Sequence, residues 1–526
     1  MKLRSLFLGL FSLLSLGIYA QNPIPELKKL DNGRHTLFVD GEPFFVLGGQ
    51  CGNSSNWPSQ LPEVWKTMNE MHANTLEIPV YWEVVEPEQG KYDFSSVQLL
   101  LDQARQQDMR LVLLWFATWK NGSNHYMPQW MKLQSERFFN VVGKTGKQID
   151  SPSAHCTEAM ELDKKAFVEF MKYLKKHDTQ HTVIMVQVQN EPGTWDSVRD
   201  YSKSLDKVFN SPVPEALLKP SVMKELETKA KKGTWPEVFG DRADEYFNAW
   251  HIARYIEEVA AAGKAVNPLP LYVNVALREP FGNPPATNYE SGGATDNVIA
   301  IYKAAAPHID FVAPDIYLNG DAKYMKVLEL YNRPDNALMV PETRDNPKYL
   351  YEVVANGIGF SPFGVDGKTH EPLAAEYKLL KPVSRQLAQW QSEGRIYTSI
   401  QKEGQKADTA LVDMGNWAAR LIYGQVSRNI TTTAENTPEG HAMLIKLAEG
   451  EFYAMGTNVR FTFEPQGKDK GKAWHYLVVE EGCFNEKGEW HASRILNGDE
   501  TDWGGTAVGA TPAMLHIRVY AREPRK

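Results

Sequence analysis

Between residues 35 and 365 the chain returns eight times to a short apolar or β-branched run: Phe44–Leu47, Thr75–Val80, Leu111–Phe116, Thr182–Val188, Leu271–Val275, Phe311–Ala313, Ala337–Val340 and Gly357–Phe360. Strands that read as continuously apolar are buried on both faces, as in parallel sheets covered by helices. Amphipathic stretches fill the gaps. Phe94, Val97, Leu101 and Ala104 recur at helical spacing after the second run, and Phe167, Phe170, Met171 and Leu174 do so before the fourth. Eight runs separated by helices predict an α/β fold, a (β/α)8 TIM barrel over residues 21–392, whose reactive groups lie past the C-terminal ends of the strands. An insertion over residues 195–243, before the helix Glu245–Ala262, is placed by this reading over the active face.

A chain of 526 residues leaves room for a second, smaller domain. Beyond residue 392 the period changes to two, as in Val459, Phe461, Phe463 and in Leu515, Ile517, Val519, with Glu486-Lys487-Gly488 as a turn. Residues 393–526 therefore read as an antiparallel, all-β domain. Its role has three readings: glycan binding, shaping of the pocket rim, or formation of a homodimer.

At the other end, Lys2 and Arg4 precede an apolar run from Ser5 to Ile18 that closes on Tyr19-Ala20. Residues 1–20 read as a signal peptide, so the mature protein is expected to be exported, periplasmic or extracellular, with no membrane insertion after cleavage. The run is short of the ~20 residues that span a bilayer.

Charge narrows the partners. With 57 Lys+Arg against 65 Asp+Glu, the chain has no broad basic field, and nucleic acid is not an expected partner. Cys51, Cys156 and Cys483 allow at most one disulfide and contain no CxxC pair. Gly143-Lys144-Thr145 resembles the end of a phosphate-binding loop, but Phe138 stands where that pattern needs glycine. No GxSxG elbow and no HExxH pair occurs, so neither a metal nor a cofactor is expected.

Two carboxylates follow strands at positions that matter. The fourth run continues into Asn190-Glu191-Pro192-Gly193, and the seventh into Pro341-Glu342-Thr343-Arg344. Groups after strands four and seven face each other across the mouth of a barrel. Glycoside hydrolysis needs such a pair, one carboxyl to protonate the leaving oxygen and one to attack the anomeric carbon, about 5–5.5 Å apart when configuration is retained. For either residue alone, a helix cap or surface ion pair explains the position equally well; the pair favours catalysis.

The segment VIMVQVQNEPG, Val183 to Gly193, resembles the acid/base strand of the family 35 β-galactosidases within the clan A retaining glycosidases. YWEVVEPEQGKYDF, from Tyr81, is similar to the second-strand signature of the family 35 and 42 enzymes, and PETRDN, from Pro341, completes the match across the barrel. The resemblance implies a secreted β-galactosidase that removes terminal β-galactosyl residues from plant-type or host oligo- or polysaccharides by double displacement. It implies Glu191 as general acid/base, Glu342 as nucleophile, Asn190 as donor to the sugar 2-hydroxyl, and Tyr317 as hydrogen-bond partner of the nucleophile.

Where family 35 enzymes usually carry a PYICAEW-type sequence after strand three, this chain has Leu114-Trp115-Phe116-Ala117-Thr118-Trp119-Lys120-Asn121. That departure leaves open a β-glucoside, a β-mannoside or a pectin side chain, and a binding protein without activity is the alternative from another class. Trp115, Trp119, His125, Tyr126 and Trp130 form an aromatic and polar loop from which one or two rings are expected to stack on sugar, Trp115 first. Tyr81, Trp195 and Asn274 are the further substrate-binding candidates. Glu86 reads as a brace of its loop, and Glu83 as half of an ion pair.

Overall fold

The computed structural model describes residues 22–367, 370–424, 438–502 and 504–523. The signal-peptide reading concerns residues outside this set.

The eight expected strands close into one parallel barrel: Val46–Gln50, Thr75–Tyr81, Arg110–Lys120, Val183–Asn190, Leu271–Ala276, Phe311–Ile316, Val340–Thr343 and Gly359–Pro362, in sequence order, with the eighth pairing the first. Alternation sorts each strand. Val112, Leu114 and Phe116 join Ile184, Tyr272, Phe311, Ala313 and Met339 in the interior cluster, while Leu111, Leu113 and Trp115 pack outward against the helices. Glu77 lies within the barrel: its carboxyl accepts from Tyr272 Oη at 3.2 Å and from Ser361, and burial pushes its pKa up to about 8. A three-stranded antiparallel sheet, Glu26–Lys29, His35–Val39 and Glu42–Phe44, sets Leu37, Val39 and Phe44 against the interior residues at the strand starts.

The seventh strand lies three residues later than its apolar run. Ala337, Leu338 and Met339 are buried approach residues, and the paired segment Val340–Thr343 contains Glu342 rather than ending before it. Pro341 within it has no N–H to give to a ladder, and register slips between Val340 and Thr343. The insertion after strand four folds into short helices that lead into the long helix Ala243–Val266.

From Ile396 onward the chain is antiparallel. One sheet has six strands, with Glu451–Thr457 and Ala513–Arg522 at its centre, and the other has four, with Trp417–Tyr423 and Val459–Pro465 central. The predicted alternation holds: Val459, Phe461 and Phe463 turn inward and meet Leu444, Phe452, Leu515 and Ile517 of the facing sheet. This β region grips the barrel through polar groups. His441 Nε2 meets Glu376 Oε1 at 2.9 Å, Tyr351 Oη donates to Glu376 Oε2 at 2.7 Å, and Lys348 pairs with both Asp321 and Glu439. Glu403 reaches the active face, where its Oε2 accepts the Asp321 backbone N–H at 3.0 Å, four residues past Tyr317.

Candidate active site

Strand four ends irregularly, and the irregularity aims its last residues. Gln189 and Glu191 have φ of 65° and 42°, left-handed values that cost a side-chain-bearing residue about 1–3 kcal/mol. Tertiary bonds hold them there. Gln189 Oε1 accepts the Trp119 N–H at 3.0 Å while its Nε2 donates to Asp163, the Glu191 N–H donates to Asn274 Oδ1 at 2.8 Å, and the Glu191 carbonyl accepts from Gly122 N–H at 3.1 Å. Asn190 is fully buried, and neither end of its amide finds a partner among the described residues. Such a group costs free energy until something accepts its bonds, as a sugar hydroxyl would.

Glu342 receives two bonds. Tyr317 Oη donates to its Oε1 at 2.8 Å, and Gln50 Nε2, from the end of strand one, donates to its Oε2 at 2.7 Å. Glu191 is in the electrostatic field of Glu342: burial, then the Glu342 charge, push its carboxyl up to about 6, while the Lys120 ammonium pulls the other way. The carboxyls named from the two strands thus share one site, Glu342 held by two donors and Glu191 raised by burial and by the Glu342 charge.

Two further acids lie beside Glu191. Asp315, on strand six, is buried and takes a bond from Asn274 Nδ2 at 2.6 Å. Glu290, from the loop after strand five, is buried across Gly122 and Gly193; a Cβ on Gly193 would fall 2.3 Å from its Cγ. Burial and the Glu191 charge raise its pKa strongly. Gln50, Asp315, Glu290 and Lys120 were not singled out in the sequence. The local signal available for Gln50 and Asp315 was a polar residue near the C-terminal end of a barrel strand, the same signal that marked the two glutamates.

Four of the substrate-binding candidates, Asn190, Tyr317, Trp195 and Asn274, stand around the two glutamates. Trp195 is 44% exposed, with its ring against Gly122. Asn274 is wholly buried, and both ends of its amide are engaged by the protein. Tyr81 stacks between Trp57 and Tyr126 at 6.0 and 5.2 Å, its hydroxyl taken by the Asn56 N–H; the ring this stack presents to solvent is Trp57, 45% exposed. Trp115 is a correction. It shares the parity of Leu111 and Leu113, so it points away from the mouth, stacks on Phe170 at 5.3 Å and donates to Asp163 Oδ1 at 2.9 Å. Trp119 likewise lies in the outer layer against Tyr255. Glu86 braces its loop through Trp82 Nε1 and the Gly90 N–H, and Glu83 pairs with Lys132. All three cysteines are free, and no group of ligands able to hold a metal occurs among the described residues.

Comparison with known proteins agrees with this architecture. Residues 52–242 match the family described as Beta-galactosidase, glycoside hydrolase family 42, and residues 373–507 match a domain of unknown function, DUF5597. Residues 52–242 are thus similar to β-galactosidases, as the sequence resemblance implied. A β-galactosidase of Xanthomonas manihotis is 27% identical over 205 residues, 37% of this chain and 31% of that protein. Beta-galactosidase 11 of Arabidopsis thaliana is 27% identical over 120 residues, 22% of this chain and 14% of that protein. The chain therefore spans less than a third of the length of these curated relatives. The crystal structure of a Bacillus circulans β-galactosidase superposes with a TM-score of 0.51 at 11% identity, covering 90% of this chain and 99% of that one, which is a likeness of fold.

Proposed function

We propose that this chain is a retaining glycoside hydrolase that removes terminal β-galactosyl residues, with Glu342 as nucleophile and Glu191 as general acid/base. The observation that carries the reading is the asymmetry between the two carboxyls. Glu342 is held by two donors, Tyr317 and Gln50, which fix its direction. Glu191 is raised to about 6 by burial and by Glu342, which favours a carried proton. In the first step Glu342 attacks the anomeric carbon while Glu191 gives its proton to the leaving oxygen; in the second, Glu191 takes a proton from water, which displaces Glu342. Asn190, unengaged and buried beside Glu191, is the proposed partner of the 2-hydroxyl.

The substrate is proposed to be a β-galactosyl-terminated oligo- or polysaccharide of plant or host origin. Trp57, backed by Tyr81, and Trp195 and Tyr317 supply the aromatic surface for it. We also propose that residues 1–20 are an export signal, that residues 21–392 form the catalytic unit and that residues 393–526 form its β domain.

The test is hydrolysis of aryl β-galactoside, β-glucoside, β-mannoside, β-xyloside and α-arabinoside, with Glu342→Ala as the blank. Cleavage of the β-galactoside above the others is the expected result. Cleavage of another sugar keeps the mechanism and replaces the substrate, and glycan binding without hydrolysis would overturn the enzymatic reading.

A further inference from the structure

Beside Glu191 the chain encloses a carboxyl that the protein leaves unengaged. Glu290, in the loop after strand five, is 2% exposed, and its Oε1 finds no donor among the described residues. The cation that acts on it, Lys120, gives its ammonium to Asn121 Oδ1. A buried polar atom left in this way costs free energy, and folding alone gives no reason to keep it. The chain nevertheless makes room for the side chain and fixes it. A Cβ on Gly193 would fall 2.3 Å from Glu290 Cγ, and one on Gly122 would fall 2.5 Å from its Oε1, so glycine at both positions is what admits it. Ser151 Oγ meets the carbonyls of both glycines and ties the two segments together. Both neighbours of Glu290 are anchored, Tyr289 through its hydroxyl to Glu245, and Ser291 through paired backbone bonds with Thr194 at 2.9 and 3.0 Å.

This cradle adjoins the acid/base. The Gly122 N–H donates to the Glu191 carbonyl at 3.1 Å, and Gly193 follows Glu191 after a single proline. The Cβ that Gly122 lacks would also lie 2.8 Å from Trp195 Cδ1, so the carboxyl and a half-exposed indole meet over one backbone position. A carboxyl beside a flat ring suits a sugar, whose C–H face packs on the ring while its hydroxyls bond to the oxygens. Glu191 delivers its proton to the leaving oxygen, so groups gathered on its own loop stand on the leaving group's side of the scissile bond.

We propose that Glu290 and Trp195 form the subsite for the first sugar of the leaving group, the Glu290 carboxyl bonding its hydroxyls and Trp195 packing on its ring, so that a sugar is favoured there over an apolar aglycone. This rests on the reading of Glu191 given above and adds the chemistry of the leaving group to it.

The experiment compares wild type, Glu290→Ala and Glu290→Gln in kcat/KM on two substrates that share the transferred sugar: nitrophenyl β-galactoside, whose leaving group has no sugar hydroxyls, and β-galactobiose, whose leaving group is a sugar. If another aryl glycoside is the one cleaved, it and the disaccharide of its sugar take their place. In Glu290→Ala the loss on the disaccharide is expected to exceed the loss on the aryl glycoside by about 10- to 100-fold, the weight of one or two buried hydrogen bonds. Glu290→Gln keeps the volume of the side chain and is expected to show the same bias at smaller size; it decides the matter if the alanine variant does not fold. Equal losses on both substrates, the mark of a structural role, would overturn the proposal, as would an undiminished rate on the disaccharide. Absence of turnover of every glycoside by the wild type would overturn the enzymatic reading beneath it, and the subsite with it.

Discussion

Tyr317 Oη lies 2.8 Å from Glu342 Oε1 and donates to it from the end of the neighbouring strand. A hydrogen bond to a charged acceptor is worth about 1.5–3 kcal/mol. Tyr317→Phe keeps the ring and removes the donor, so kcat is expected to fall about 10- to 100-fold with little change in melting temperature. Steady-state rates and a thermal melt decide it; an unchanged kcat would remove Tyr317 from the nucleophile's support.

The Glu191 carboxyl, raised to about 6, has to be protonated to act as an acid. Activity should therefore hold below that pH and decline as pH rises through it, with the alkaline limb of kcat/KM reporting the free enzyme. Glu191→Ala is expected to erase that limb along with most of the rate, and Glu342→Ala to abolish turnover. Added azide should restore part of the activity in at least one of them. Near-normal turnover by either variant would end the assignment.

Acid should also weaken the fold through two histidines beneath the insertion. His155 and His251 face each other at 4.3 Å among Phe247 and Trp235, and burial pushes them down to about 4 and about 3. Both are neutral when folded. The unfolded chain takes up their protons below pH 6.5, so their contribution is complete above that value. It is lost as pH falls toward 4, at about 1.4 kcal/mol per pH unit for each. Urea midpoints measured from pH 7 to 5 should fall less steeply in His251→Phe than in the wild type; parallel slopes would show that the pair does not titrate this way.

The contact of His441 with Glu376 is buried on both sides, at 3% and 1% exposure, where the β region meets the barrel. Removing the imidazole takes one buried hydrogen bond from Glu376, which keeps that of Tyr351, at a cost of about 1–3 kcal/mol. His441→Ala is expected to lower the unfolding midpoint accordingly. Deletion of residues 393–526 should cost both stability and activity, because the same junction extends through Glu403 to Asp321 near the mouth. A truncated chain as stable and active as the whole would refute this.

The barrel was legible because its strands are long enough to show unbroken apolar runs, and Glu191 and Glu342 were singled out as candidates because each follows such a run. What local sequence could not convey was closure. Gln50 meets Glu342 only because the eighth strand returns to the first, and Asp315 meets Glu191 only through the amide of a third strand. Trp115 failed for a different reason. Nearness to a strand end said nothing of which side of the strand it occupied, and counting by two from Leu111 would have sent it to Phe170 and Asp163. The seventh strand was misplaced by three residues because Pro341 and Glu342 look like a turn, whereas the barrel pairs Glu342 with Asp315 on one side and Val340 and Thr343 with strand eight on the other.

The left-handed backbone at Glu191 sets chemistry and endurance against each other. Glycine at that position would relieve the dihedral strain and remove a carboxyl that burial penalises, so the variant with no acid should survive a heat ramp longer than its parent. Selection for thermal resistance alone would therefore drift toward a silent enzyme, and only a screen that also demands turnover would keep the glutamate in place.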